Sequence, residues 1–181
     1  DAIRGKGCHD KIKKHANRPD LKIHVSMVIN KMNYQDIECF IEEWKDVGVK
    51  GCLFQMYTPI KGLKNDDLWP GWKLRDEILD KLLRLKDEKY GDFIGVPSLV
   101  LKLMKSDKCK EVTRNCIFRE VSFCLDPQGQ LKKPCMMGPQ ADCLRCGCML
   151  PFHMRVLEDK WLMARELFTS LRRKIGKKAL Q

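Results

Sequence analysis

Leu21-Lys22-Ile23-His24-Val25-Ser26-Met27-Val28-Ile29-Asn30 leads through Asn33-Tyr34-Gln35-Asp36 and a helical stretch into Val49-Lys50-Gly51-Cys52-Leu53-Phe54-Gln55-Met56-Tyr57. The first segment is apolar and β-branched, as a buried strand is. Asn33 to Asp36 supplies a helix start with an acid in its first turn. Ile37, Phe40, Ile41, Trp44 and Val47 then recur at helical spacing, and Gly48 stands where a left-handed C-terminal cap belongs. The second apolar segment follows at once. Strand, helix, strand at this spacing is a βαβ unit, which predicts two parallel strands.

Working outward, Cys8 to Asn17 reads as a helix and Arg18-Pro19-Asp20 as a turn before the first strand. Thr58 to Gly71 is a loop carrying Trp69, with Trp72 just beyond it. Leu74, Ile78, Leu82 and Leu85 mark an amphipathic helix ending near Gly91-Asp92, and a shorter apolar stretch runs from Val96 to Met104. Residues 1–105 thus alternate helix and strand, as in an α/β sheet or barrel. Residues 106–152 are Cys-rich, with Asp126-Pro127-Gln128-Gly129 as a turn between two short strand-like runs. Residues 153–181 read as an amphipathic C-terminal helix. Its stripe of Leu157, Trp161, Ala164, Phe168, Leu171 and Ile175 is expected to pack on the parent domain.

The chain has 181 residues, 44% hydrophobic and 33% charged, with a formal net charge of +11. That is a globular composition, and no apolar run is long enough to span a bilayer. Lys and Arg are spread along the chain with no nucleic-acid motif, so nucleic acid is not the expected partner. Asp1-Ala2-Ile3-Arg4-Gly5 is polar and reads like the interior of a domain, which suggests a piece of a longer protein. Ten cysteines without a secretion signal fit a reducing, cytoplasmic setting, where clustered thiols bind metal.

Six of the ten run Cys116, then Cys124-x10-Cys135-x7-Cys143-x2-Cys146-x1-Cys148. Two residues between cysteines let both sulfurs reach one metal or one cluster, and a hairpin brings in a third. The single C-x2-C knuckle favours a 4Fe–4S cluster over zinc, with unligated thiols as the third possibility. Lys132, Lys133 and Arg145 would offset thiolate charge. Cys39 and Cys52 read as inert core thiols, His24 as a core histidine and His153 as a minor ligand candidate. At the strand ends, where α/β proteins bind ligands, Asn30 and Gln55 are hydrogen-bonding candidates. Arg4 in Arg4-Gly5-Lys6-Gly7 is an anion-binding candidate.

Asp1-Ala2-Ile3-Arg4-Gly5-Lys6-Gly7 resembles the segment after the fourth barrel strand of radical S-adenosylmethionine enzymes. Val25 to Asn30 resembles the next strand, and the helix with Trp44 and Gly48 looks like the unit after it. The Cys135, Cys143-x2-Cys146 layout is similar to SPASM and twitch extensions, although five residues rather than four separate Gly129 from Cys135. The resemblance implies the C-terminal portion of a partial (β/α) barrel, TIM-like, followed by a small Cys-rich hairpin region and a C-terminal helix. It implies reductive cleavage of S-adenosylmethionine to a 5′-deoxyadenosyl radical in the intact enzyme. Asn30, Gln55 and Met56 would line the cofactor side, and Arg4 would meet an anionic group. Cys124, Cys135, Cys143 and Cys146 would hold an auxiliary 4Fe–4S cluster, with Cys116 and Cys148 in reserve. The hallmark C-x3-C-x2-C loop does not occur here. The implied partners are therefore the missing N-terminal half of the barrel, a substrate of unknown identity and a reductant protein. A zinc-stabilised binding module is the alternative.

Overall fold

The computed structural model describes residues 5–63 and 66–178. It is a mixed α/β fold, mostly helical, built around a two-stranded parallel sheet. α1 (Cys8–Ala16) precedes β1 (His24–Ile29), and α2 (Ile37–Val47) crosses over to β2 (Gly51–Met56). His24 pairs with Gly51 and Ile29 with Met56, so the register runs the full length of both strands. Gly48 ends α2 at φ 90°, a left-handed position that a side chain would strain.

Alternation separates the sheet's two faces. Met27, Ile29, Cys52, Phe54 and Met56 are buried beneath the helices, where Phe40 of α2 meets Phe54 at 6.1 Å. His24, Ser26 and Val28 are exposed on the other face, with Leu53 and Gln55 half-buried beside them. His24 is therefore not a core histidine. Alternation puts it on the same face as Ser26 and Val28 and turns the ring outward, against Gly51. Cys39 is exposed as well, on the outer side of α2.

α3 (Gly71–Leu85), extended by a π turn to Tyr90, returns the chain to Ile94. Ile94 makes a single parallel bridge to Cys52, and the Gly95 N–H donates to the Cys52 carbonyl at 2.8 Å. The apolar stretch after it forms α4 (Ser98–Leu103), because the free N–H groups of Ser98 and Leu99 are capped by the Glu166 carboxylate. α5 (Ser106–Arg114) and α6 (Ile117–Val121) lie in the Cys-rich segment, where the sequence pattern names a turn and strand-like runs but no helix. The C-terminal helix divides into α7 (Leu150–Glu158) and α8 (Lys160–Lys178). The Asp159 carboxylate accepts the Trp161 and Leu162 N–H groups and so starts a new helix. One cluster of buried side chains runs from Ala16 to Val156. Among the described residues, no helix is long and apolar enough to cross a membrane.

Cys52 lies at the centre of this core with no exposed surface, and burial pushes its thiol up to about 12. The thiol is neutral in both states below its usual value of 9.0. Between about 9 and about 12 the unfolded chain ionises and the folded one does not, so stability falls across that window. Alkaline titration of unfolding is expected to show this fall, reduced in Cys52→Ala relative to that variant's own neutral-pH stability.

Candidate functional site

The loop after β2 is the anchor for the Cys-rich segment. Ile60 bridges Ala141 in antiparallel fashion, the Lys61 N–H donates to Gln140 O at 2.7 Å, and the Asp142 N–H donates to Pro59 O at 2.8 Å. Asp142 then caps a 3-10 turn over Cys143–Arg145, accepting the Leu144 N–H and the Arg145 Nε–H. The next peptide lies directly across the carboxyl end of β2. The Met56 N–H donates to Gly147 O at 2.9 Å, and the Gly147 N–H donates to Thr58 Oγ1 at 2.8 Å. A Cβ at Gly147 would overlap the Met56 carbonyl, so this close approach demands glycine.

A buried cation holds the same peptide from below. Arg75 is fully buried. Its Nε–H donates to Met104 O at 3.1 Å, Nη1 to Arg145 O at 3.4 Å, and Nη2 to Cys146 O at 2.9 Å and Cys109 Sγ at 3.5 Å. The guanidinium also faces Trp72 and Trp69, at 5.2 and 5.9 Å from the ring centroids. The two indoles meet edge to face at 5.4 Å. Burial lowers the Arg75 pKa, and the neighbouring Cys109 and Cys146 thiols oppose that. Sequence reasoning passes over Arg75 and leaves Cys109 outside the cluster of six. The signal available for Arg75 is Trp72, three residues before it on the same face of α3.

The six clustered cysteines divide into two neighbourhoods. Burial raises the Cys116 thiol, and so does the charge that Cys135 and Cys143 would carry, while the peptide N–H groups of Arg119 and Phe118 favour its ionised form. Cys148 is likewise raised by burial and by Cys135 and Cys116, against the peptide N–H of Leu150. Cys116 therefore lies within electrostatic reach of Cys135, Cys143 and Cys148, and Cys148 within reach of Cys135 as well. Cys146 turns the other way. Burial pushes its thiol up to about 12, against the Cys148 peptide N–H and the Arg75 charge, while the charges that Cys148 and Cys109 would carry add to the shift. Cys124 stands at the base of the hairpin, where its carbonyl accepts the Lys132 N–H at 2.7 Å and Leu125 bridges Leu131. All these thiols are free. Among the described residues, no three Cys, His, Asp or Glu side chains stand close enough together to hold a metal ion in this conformation.

The strand-end residues are dispersed. The Asn30 amide oxygen accepts the Met32 and Asn33 N–H groups, forming the turn after β1. Gln55 lies on the open sheet face and donates to Ser26 Oγ at 3.4 Å. Met56 is buried on the opposite face. His153 is half-buried, and burial lowers its pKa while the Glu166 charge raises it. Arg4 lies outside the described residues. No family model matches the chain, and neither a curated protein nor a solved structure matches it.

Proposed function

We propose that this chain is the C-terminal portion of a radical S-adenosylmethionine enzyme, contributing barrel wall and an auxiliary 4Fe–4S site. The observation that carries this reading is the docking of the Cys146-Gly147-Cys148 peptide on the carboxyl end of a parallel strand, through Met56 and Thr58. Ligands of parallel α/β sheets and barrels bind at that end. The parallel order β1, β2, Ile94, each joined to the next through a helix, also suits consecutive staves of a barrel. Among the described residues β1 has one neighbour, so its other edge would take the strands of the missing half. Those strands would close over the face bearing Ser26, Val28 and Gln55.

The donor set fits an iron–sulfur cluster by number and chemistry. Cys116 lies within electrostatic reach of Cys135, Cys143 and Cys148, Cys148 lies within reach of Cys135 too, and peptide N–H groups favour the thiolate at Cys116 and Cys148. Thiolates so placed repel unless a metal centre joins them, and drawing the four together is then part of binding. This set exchanges the spacing-based Cys124 and Cys146 for Cys116 and Cys148. Peptide N–H donors would stabilise added negative charge and raise the cluster's potential. In the intact enzyme, one electron from a reductant protein would cleave S-adenosylmethionine to methionine and the 5′-deoxyadenosyl radical that modifies the substrate. Gln55 and Ser26 would offer polar contacts on the barrel-facing side, and Met56 would act from behind as core.

Anaerobic purification and reconstitution, with iron, sulfide and zinc content and a visible spectrum, test the reading. About four irons and four sulfides per chain are expected. Cys143→Ala and Cys148→Ala are expected to abolish that iron, and Cys124→Ala to leave it unchanged. One zinc per chain and no colour would instead assign the thiols to a zinc-stabilised binding module.

A further inference from the structure

We propose that α8 docks this protein on an anionic phospholipid surface. The stripe expected to pack inward faces outward instead. Trp161 is 83% exposed, Phe168 64% and Leu171 56%, and Ala164 and Leu167 are exposed beside them. Helical geometry gathers these residues on one side, and Leu162, Glu166, Thr169 and Ser170 form the opposite, more buried side. Restarting at Asp159 is what rotates the stripe outward, because Glu166 is held as the cap on the Ser98 and Leu99 N–H groups.

Charge decides what covers the stripe. Lys160 to Lys178 carries seven Lys and Arg residues against one acid, Glu166, and that acid is turned inward onto α4. Arg165 and Arg172 border the Trp161–Phe168 side of the stripe by helical position. Arg165 also lines a groove of about 480 Å³ between α8, α4 and α5. Four cations, Lys102, Lys105, Lys108 and Arg165, line this groove against two carboxylates, Asp76 and Asp107. Ser106 engages Asp76, while Lys105 is paired with Asp80 outside the groove lining. A second copy of the chain would press two such basic rims together. An anionic surface neutralises the rim while the indole and phenyl rings enter the headgroup boundary, as in basic amphipathic helices that lie in the membrane plane. The groove beside Arg165 suits a phosphate headgroup.

The test is co-sedimentation of the full chain with phosphatidylcholine vesicles, and with phosphatidylcholine vesicles containing phosphatidylglycerol. Sedimentation velocity without lipid and bound iron are read on the same preparations. Binding is expected to the anionic vesicles only, weakening as salt rises. Arg165→Gln is expected to weaken it about fivefold, the factor for one basic residue at such a surface. The Trp161→Glu/Phe168→Glu double variant, changed only at exposed positions, is expected to abolish it and leave iron content unchanged. Equal binding to both vesicles, no binding, or binding that survives the double variant would overturn the proposal. So would a dimer in the absence of lipid that the double variant dissociates, which would assign the stripe to a second copy. The iron measurement stands apart from these outcomes, so the fate of the cluster reading is visible separately.

Discussion

Gly147→Ala is expected to destabilise the fold by about 3–5 kcal/mol, a large part of a typical domain's stability. The added methyl would overlap the carbonyl carbon and oxygen of Met56 and stand 2.8 Å from Tyr57 O. All three atoms belong to the backbone at the end of β2, so no rotamer change relieves the overlap. The peptide must move away, and overpacking of this kind costs roughly 1–3 kcal/mol. Moving it also breaks the Met56 N–H to Gly147 O bond and the Gly147 N–H to Thr58 Oγ1 bond, each worth about 1 kcal/mol net. Urea unfolding checks this as a lower midpoint at an unchanged slope. The same variant is expected to bind less iron, because Cys148 is displaced with the peptide. An unchanged midpoint would mean that the Cys-rich segment is held by Arg75 and by the pairing of residues 59–61 with 140–142, and the argument from the strand end would fall with it.

The parts legible in the sequence are those in which local signals agree with the tertiary result. The βαβ unit is one such part, since its strand periodicity, helical stripe and Gly48 cap all sit within Leu21 to Tyr57 and need no distant partner to be read. The turn at Asp126 to Gly129 is another, closed by the Asp126 carboxylate accepting the Gln128 and Gln130 N–H groups. Illegible parts depend on residues far apart in the chain. The apolar stretch after Gly95 becomes a helix with Glu166, in α8, as its cap. Sequence spacing groups Cys143, Cys146 and Cys148 as neighbours, but a 3-10 turn and an extended peptide send Cys146 toward Arg75 and Cys109. Spacing alone gives no direction to a sulfur, and Cys116 enters the other group from the start of α6, far back along the chain.

Arg75→Met is expected to cost about 3–5 kcal/mol, although methionine matches the length of the arginine stem and removes a charge from the interior. Exchanging buried ionic groups for apolar ones is often neutral when both partners go. Here the acceptors are backbone carbonyls: those of Met104 and Arg145 lose the Arg75 donor, and that of Cys146 keeps only the weak Cys109 S–H. Each buried acceptor left unpaired costs about 1–3 kcal/mol, and the desolvated contact with the two indoles adds about 2 kcal/mol. Relief of the cation's own desolvation offsets part of that sum. Arg75→Lys keeps the charge, but a single ammonium has no fork to span three carbonyls, so its loss is expected to fall between wild type and Arg75→Met. Urea unfolding gives the order, and near-ultraviolet circular dichroism reports the packing of Trp69 and Trp72. Among the described residues, no carboxylate lies within ion-pair distance of Arg75, and the groups facing its Nη2 include the Cys109 sulfur and the peptide of Cys146. If Arg75→Lys recovers stability but not bound iron, the guanidinium fork acts on the thiol site beyond holding the peptide. If iron follows stability through both variants, Arg75 serves the site only by fixing the peptide that carries Cys146 and Cys148.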